Sequence, residues 1–141
     1  MNDVVVRECR SDDVPAVLHL WASSGAERSA TDDAGSLQQA LEHPTTTVLV
    51  ADEGERLVGS LIVAWDGWRG TLYRLVVVPE RRRERIASRL VDAAEDRLRG
   101  AGAARIALVA VDDDAAGFWR AAGYALHPSA RRYTKDVRVT S

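Results

Sequence analysis

The sequence predicts an α/β fold: one open, mixed sheet of about seven strands flanked by about four helices. Three observations lead there. Segments rich in Val, Leu and Thr alternate with segments whose apolar residues recur at helical spacing. Three of the β-runs follow one another through turns short enough for antiparallel pairing. Further on, a strand, a long helix and another strand come in succession, and that crossover implies a parallel pair.

Val4, Val5 and Val6 open the first β-run, which ends near Arg10. Ser11 reads as an N-cap with Asp12 and Asp13 in the first turn, and Val14, Val17, Leu18 and Trp21 form one apolar stripe. Positions 23–35 are small, polar and acidic, and read as a loop. Ser36 with Gln39 makes a capping box for a short helix through Leu37, Ala40 and Leu41, stopped by His43-Pro44. Positions 46–51, 57–65 and 71–78 form the meander, with turns at Asp52-Glu53-Gly54-Glu55 and Asp66-Gly67-Trp68-Arg69-Gly70. After Pro79 a long helix buries Ile86, Leu90, Val91, Ala94 and Leu98, exposes a Glu95–Arg99 pair, and closes at Gly100. Ile106, Leu108 and Val111 make the parallel strand. A short helix over 115–122 stops at Gly123, and strands at 124–126 and 133–139 complete the sheet. With no internal repeat, low-complexity tract or linker, residues 1–141 read as one domain.

Composition narrows the function classes. The chain is 46% hydrophobic and 28% charged, enough apolar content for a core. Its net charge of −2 exerts no global pull on nucleic acid or anionic membrane, so any basic site is local. Cys9 is the one cysteine, which excludes an internal disulfide and a Cys-rich metal cluster, and His19, His43 and His127 are too scattered to suggest a metal. The first ten residues have no leader-like apolar region. The longest apolar run, Leu57 to Trp65, is far shorter than the ~20 residues that span a bilayer. A soluble, cytoplasmic protein is expected, without a nucleic-acid or membrane partner; a homodimer is left open.

Pro79-Glu80-Arg81-Arg82-Arg83-Glu84-Arg85-Ile86-Ala87 carries the most chemistry, because it stands where a buried strand hands over to a helix. A helix N-terminus offers unpaired N–H groups and a partial positive charge, and four arginines there oppose the dipole and one another. A bound polyanion resolves that conflict, since both N–H groups and guanidinium forks favour phosphate. The plainer alternative is a solvated charge run on an amphipathic helix.

This segment, with Leu90, resembles the pyrophosphate loop of the GNAT superfamily of N-acetyltransferases: Arg or Gln, two residues, Gly, one residue, then Gly or Ala. Arg82 holds the leading position and Ala87 the last, while Arg85 replaces the first glycine. Ala115-Ala116-Gly117-Phe118-Trp119-Arg120-Ala121-Ala122-Gly123-Tyr124 resembles a second motif of the same superfamily, Ala-x-x-Phe-Tyr-x-x-x-Gly-Phe. The order of elements matches as well, over nearly the whole chain. The turn at Asp66–Gly70 is similar to that of a small bacterial subgroup.

The resemblance implies acetyl-coenzyme A as cosubstrate and no metal. Backbone groups of Leu75, Val76 and Val77 would hold the pantetheine arm. Amides of Arg83, Glu84, Arg85, Ile86, Ala87 and Ser88, with Arg82, would cradle the pyrophosphate. Arg85 needs no positive φ there, because a helix start donates its amides in the ordinary conformation. Asp112 matches an asparagine that contacts pantetheine, and Phe118 and Trp119 would flank the thiol end, although aromatics at that spacing also suit a core.

Acetyl transfer to an amine needs a proton taken from the nitrogen and one supplied to the leaving sulfur. The positions where relatives place these groups are Ala107 and Trp119 here, so both are missing. Tyr133, on the strand expected to run back toward the centre, is ranked first as acid, with solvent as the rival. Tyr73 is set aside because regular alternation turns it to the face opposite Val76. On the acceptor side stand Trp21, Trp65 and Trp68 as walls and Glu27, Asp32, Asp33 and Asp66 as carboxylates for a cationic amine; Trp21, Glu27 and Asp66 are the chosen contacts. Two other readings compete: a degenerate domain that binds acetyl-coenzyme A as a sensor without turnover, and nucleic-acid binding through the arginines, which lacks interleaved aromatics.

Overall fold

The computed structural model describes residues 3–82, 85–110 and 114–138. The chain divides into two compact units, up to Leu108 and from Val109 onward. The first unit opens with strand β1 (Val5–Glu8) and a 3-10 turn over Ser11–Asp13. Helices α1 (Val14–Ser23) and α2 (Ala34–Glu42), strands β2 (Thr46–Asp52), β3 (Leu57–Trp65) and β4 (Gly70–Val77), helix α3 (Ile86–Ala101) and strand β5 (Ile106–Leu108) follow. The strands lie in sequence order, antiparallel from β1 to β4, with β5 parallel to β4. The meander and the parallel crossover pair are thus as the turn lengths predict.

Register assigns the faces. Gly59 lies under Leu90 and Ile86, and Gly70 under Leu98, so their side of the sheet belongs to α3. Ile86, Leu90, Val91, Ala94 and Leu98 are all buried, the stripe the periodicity gives. Trp21 of α1 donates its indole N–H to Ser60 Oγ at 2.9 Å, which puts Ser60 and its register partners on the α1 side. The core is aliphatic, with Leu49, Val50, Val58 and Leu61 essentially inaccessible.

Several local expectations are corrected. Ser11 is not the N-cap of α1. Asp13 holds that end, accepting the Arg10 N–H at 2.8 Å and the Arg7 guanidinium at 2.8 and 3.0 Å. Leu20, not Leu18, completes the buried stripe of α1. Asp33 caps α2 by accepting from the Ser36 N–H at 2.8 Å, so Ser36 is a first-turn residue and forms no capping box with Gln39. Helix α3 runs past Gly100 to Gly102, whose φ of +103° is the left-handed close that glycine adopts without strain.

The second unit holds helix α4 (Asp114–Ala121), ended by Gly123 at φ +96°. The strands expected at 124–126 and 133–139 are absent over their described residues, so the sheet has five strands there. Leu126, Tyr133 and Val137 are exposed, and Arg131, Arg132, Lys135, Asp136 and Arg138 surround the last two. So little apolar surface gives a strand nothing to bury.

Candidate active site

The decisive irregularity is in β4. Ser60 pairs with Val76, yet Ile62 pairs with Tyr73, so β4 spends an additional residue opposite β3. Arg74 absorbs it, at φ +56°. The consequence overturns an expectation. Ser60 and Ile62 lie on one face, and therefore so do Val76 and Tyr73. Tyr73 is not turned away from the face that Val76 occupies; the bulge resets the alternation.

The left-handed conformation costs a non-glycine residue about 1–2 kcal/mol, and the surroundings show what holds it. The Arg74 guanidinium forms a two-oxygen pair with Asp32, at 2.6 and 2.7 Å, and donates to the Glu27 carbonyl at 2.7 Å. It also sits 5.2 Å from the Trp21 ring centroid. Its own carbonyl accepts from Ser60 Oγ at 2.9 Å. One residue therefore ties the bulge to α1 and to the α1–α2 connection. Neither Arg74 nor Ser60 was singled out in the sequence; the visible hint was a lone serine inside the apolar run 57–65.

Beyond the bulge, β4 loses its second neighbour. Its ladder with β5 covers Gly70, Thr71 and Leu72 and stops, while β4 continues to Val77. The backbone edge over Leu75, Val76 and Val77 is thus without a strand partner among the described residues. That edge leads through Val78 and a 3-10 turn at Pro79–Arg81 to the start of α3. The first amides of α3, from Ile86, Ala87 and Ser88, precede the helix's own bonding and have no backbone partner among the described residues.

The arginines divide their labour. Arg81 pairs with Glu53, and Arg56 bridges Glu53 and Glu80 at 2.9 Å each. Arg82 reaches back to the Ser24 carbonyl at 3.4 Å. Arg85 is exposed and makes no side-chain bond among the described residues. It adopts φ +63°, so the position where the resemblance places glycine does require the left-handed conformation, contrary to the expectation that a helix start makes it unnecessary. Arg83 and Glu84 lie outside the described residues, as do Val111 and Asp112.

Of the acceptor-side candidates, Trp21 is core, 4% exposed. Asp32 is committed to Arg74 and Asp33 to its cap. The Glu27 carbonyl is pinned by Arg74, while its exposed carboxylate has no partner among the described residues. Asp66 Oδ1 accepts from the Arg69 and Trp68 N–H groups at 2.8 Å each; these bonds lower its pKa and keep it ionised. Trp68 is exposed, with the Arg69 guanidinium 4.1 Å from its ring centroid. Ala107 is exposed and is the register partner of Thr71. In the second unit, Trp119 meets Phe118 and Tyr124 edge-on at 5.0 and 5.1 Å, an aromatic cluster internal to that unit. Tyr133 lies on no strand and is 91% exposed. Cys9 is buried, and burial pushes its thiol up to about 11, which makes it a poor nucleophile. Among the described residues no cluster of His, Cys, Asp or Glu fits a metal, and no helix is long and apolar enough to cross a membrane.

The model of the acetyltransferase (GNAT) family matches residues 14–124, from the start of α1 through α4 to Tyr124. This chain belongs to the GNAT acetyltransferase family. An acetyltransferase of Pectobacterium atrosepticum is 33% identical over 109 residues, 77% of each chain. One of Photorhabdus laumondii is 32% identical over 109 residues, 77% of this chain and 76% of its own. Among solved structures, an aminoglycoside N-acetyltransferase in complex with coenzyme A superposes with a TM-score of 0.78 at 15% identity, covering 96% of each chain. An acetyltransferase of Trypanosoma brucei gives a TM-score of 0.75 at 19% identity, covering 96% of this chain and all of its own. At such identities these structures establish the GNAT fold alone. The opened β4 edge and the arginine-flanked start of α3 are features of this GNAT chain itself.

Proposed function

We propose that this protein transfers the acetyl group of acetyl-coenzyme A to a primary amine of a small molecule or an exposed peptide. The observation that carries the reading is the parting of β4 from β5 at the Arg74 bulge, upstream of the first amides of α3, which have no backbone partner among the described residues. An extended amide-bearing chain such as pantetheine can pair with the unpartnered edge at Leu75, Val76 and Val77 as an additional strand would. Its pyrophosphate then meets the amides of Ile86, Ala87 and Ser88, with Arg82 and Arg85 supplying charge and Arg83, Glu84 and Asp112 completing the expected contacts.

In the transfer, the amine nitrogen attacks the thioester carbonyl carbon, the carbon–sulfur bond breaks, and the thiolate leaves. An alkylammonium must first lose a proton, its pKa being near roughly 10. The Glu27 carboxylate, without a partner among the described residues and held in place through its backbone, suits reception of the cation, and ionised Asp66 adds negative charge on the acceptor side. A thiol pKa of roughly 8.5 makes the thiolate a tolerable leaving group even when solvent protonates it.

A second reading, a sensor that binds acetyl-coenzyme A without turnover, is favoured by the absence of a titratable side chain at Ala107 and Trp119. One experiment separates them. Acetyl-coenzyme A should raise the melting temperature in both cases, and dephospho-coenzyme A less so if the arginines grip the 3′-phosphate. Amine-dependent release of free thiol across a broad panel occurs only in the first. No thermal shift at millimolar cofactor would sink both.

A further inference from the structure

The bulge that returns Tyr73 to the Val76 face also gives it company. A hollow of about 500 Å³ lies on that face between the bulge and the β3–β4 turn, lined by His43, Thr46, Asp66, Thr71 and Tyr73 among others. Its size falls within the ~300–1,000 Å³ typical of small-molecule sites. Its walls offer hydroxyls from Thr45, Thr46, Thr71 and Tyr73, and a carboxylate from Asp66. The Thr45 N–H donates to His43 Nδ1 at 3.2 Å, so a neutral imidazole carries its proton on Nε2 and adds a donor. Apolar surface, Ala64 and Trp65 included, still makes up the larger part of the lining, so the polar groups are points along it.

We propose that this hollow receives the acceptor and that the acceptor is an aliphatic primary amine bearing hydroxyl groups. The inference rests on the acetyltransferase reading above. Tyr73 adjoins Arg74, beyond which β4 keeps β3 but has no β5 partner, so the Tyr73 end of the hollow lies next in sequence to the edge assigned to the acyl-bearing chain. At the other end Asp66 is anchored through one oxygen by two backbone N–H groups, which leaves Oδ2 available to a cation or a hydroxyl. The Thr45 and Thr46 hydroxyls meet His43 Nδ1 at 3.3 and 3.1 Å. Those of Thr71 and Tyr73 can both donate and accept, and with Asp66 they match an acceptor that carries hydroxyls; a hydrocarbon amine would displace their water and return no hydrogen bond. The two ends divide the work. Thr71 and Asp66 bind the body of the acceptor, and Tyr73 meets the amine that reacts.

The test uses the whole protein, first with acetyl-coenzyme A alone in a thermal melt. A wild-type protein that shows no shift fails as an acetyltransferase, and the proposal fails with it. With the shift present, free thiol is followed for ethanolamine, serinol and glucosamine against propylamine and butylamine. The hydroxylated amines should exceed the hydrocarbon amines at least tenfold in kcat/KM. Asp66→Asn keeps an oxygen for the turn, and Thr71→Val is isosteric. Each should raise the acceptor KM several-fold or more and leave the acetyl-coenzyme A KM unchanged, whereas Tyr73→Phe should lower kcat and Tyr133→Phe should not. No turnover with any amine defeats the acetyltransferase reading itself and the proposal with it; turnover of hydrocarbon amines as fast as, or faster than, the hydroxylated ones overturns the substrate class alone. Wild-type acceptor KM in both folded wall variants overturns the location.

Discussion

Tyr73 and Val76 face the same side of the sheet although they stand three positions apart, because Arg74 between them is left-handed. In an unbroken strand that spacing places two side chains on opposite faces. The bulge therefore decides which groups of β4 look toward α1 and α2, and it does so through a residue whose type disfavours the conformation it holds.

If the Asp32 pair, the Glu27 carbonyl and Ser60 hold Arg74 in place, two substitutions separate strain from contact. Arg74→Ala loses the charged hydrogen bonds and keeps the strain. It should destabilise the protein by about 1–3 kcal/mol in a urea titration. Arg74→Gly loses the same bonds and relieves about 1–2 kcal/mol of strain. In an ordinary strand position glycine is the less stable of the two by roughly 0.5–1 kcal/mol. The glycine variant should here be at least as stable as the alanine variant; an order reversed by more than that margin would show that φ +56° is not maintained in solution.

Much of this architecture is legible in the sequence, and the failures share a cause. Local patterns give the α3 stripe from Ile86 to Leu98, the meander over β2 to β4 and the parallel β5, because periodicity and turn length are short-range signals. The arginine segment at the start of α3 is equally visible. Nothing local announces that Arg74 will meet Asp32, forty-two residues away, and the parity of Tyr73 hinges on that bulge. The cap of α2 depends on the chain path in the same way: Asp33 and Ser36 are both good capping residues, and only that path selects Asp33. The last two expected strands rest on β-forming residues alone, and the charges around Tyr133 and Val137 outweigh them.

Arg85 offers a parallel case on the cofactor side. It stands at φ +63° with its side chain exposed. Arg85→Gly should stabilise the unliganded protein, since relief of about 1–2 kcal/mol exceeds the ~0.5–1 kcal/mol that glycine's greater freedom in the unfolded chain costs. Both Arg85→Gly and Arg85→Ala should weaken acetyl-coenzyme A binding by about 1–3 kcal/mol if the guanidinium contacts phosphate. Calorimetric titration beside a thermal melt reads the two effects separately. A glycine variant that melts higher but binds as tightly as wild type would leave Arg85 with no role toward the cofactor.

The Arg7 cluster predicts how the fold responds to acid. Its guanidinium lies 2.8 Å from Asp13 and 3.0 Å from Asp52, joining β1, the turn before α1 and β2. Hydrogen bonding from Arg7 lowers the pKa of Asp13. The Gly54 N–H, then Arg7, lowers that of Asp52. A carboxyl whose pKa is lower in the folded state contributes stability that is fully present above its unfolded pKa, roughly 3.9, and is lost as pH falls through the folded value. Wild-type stability should therefore decline below about pH 4 more steeply than that of Arg7→Met, in which neither carboxyl keeps its guanidinium partner. Arg7→Met will be less stable at neutral pH, so the informative quantity is the difference between the two proteins as a function of pH. That difference should shrink as the carboxyls protonate. A constant difference from pH 7 to pH 2.5 would mean that Arg7 stabilises the β1–β2 corner through packing of its stem and not through its charge.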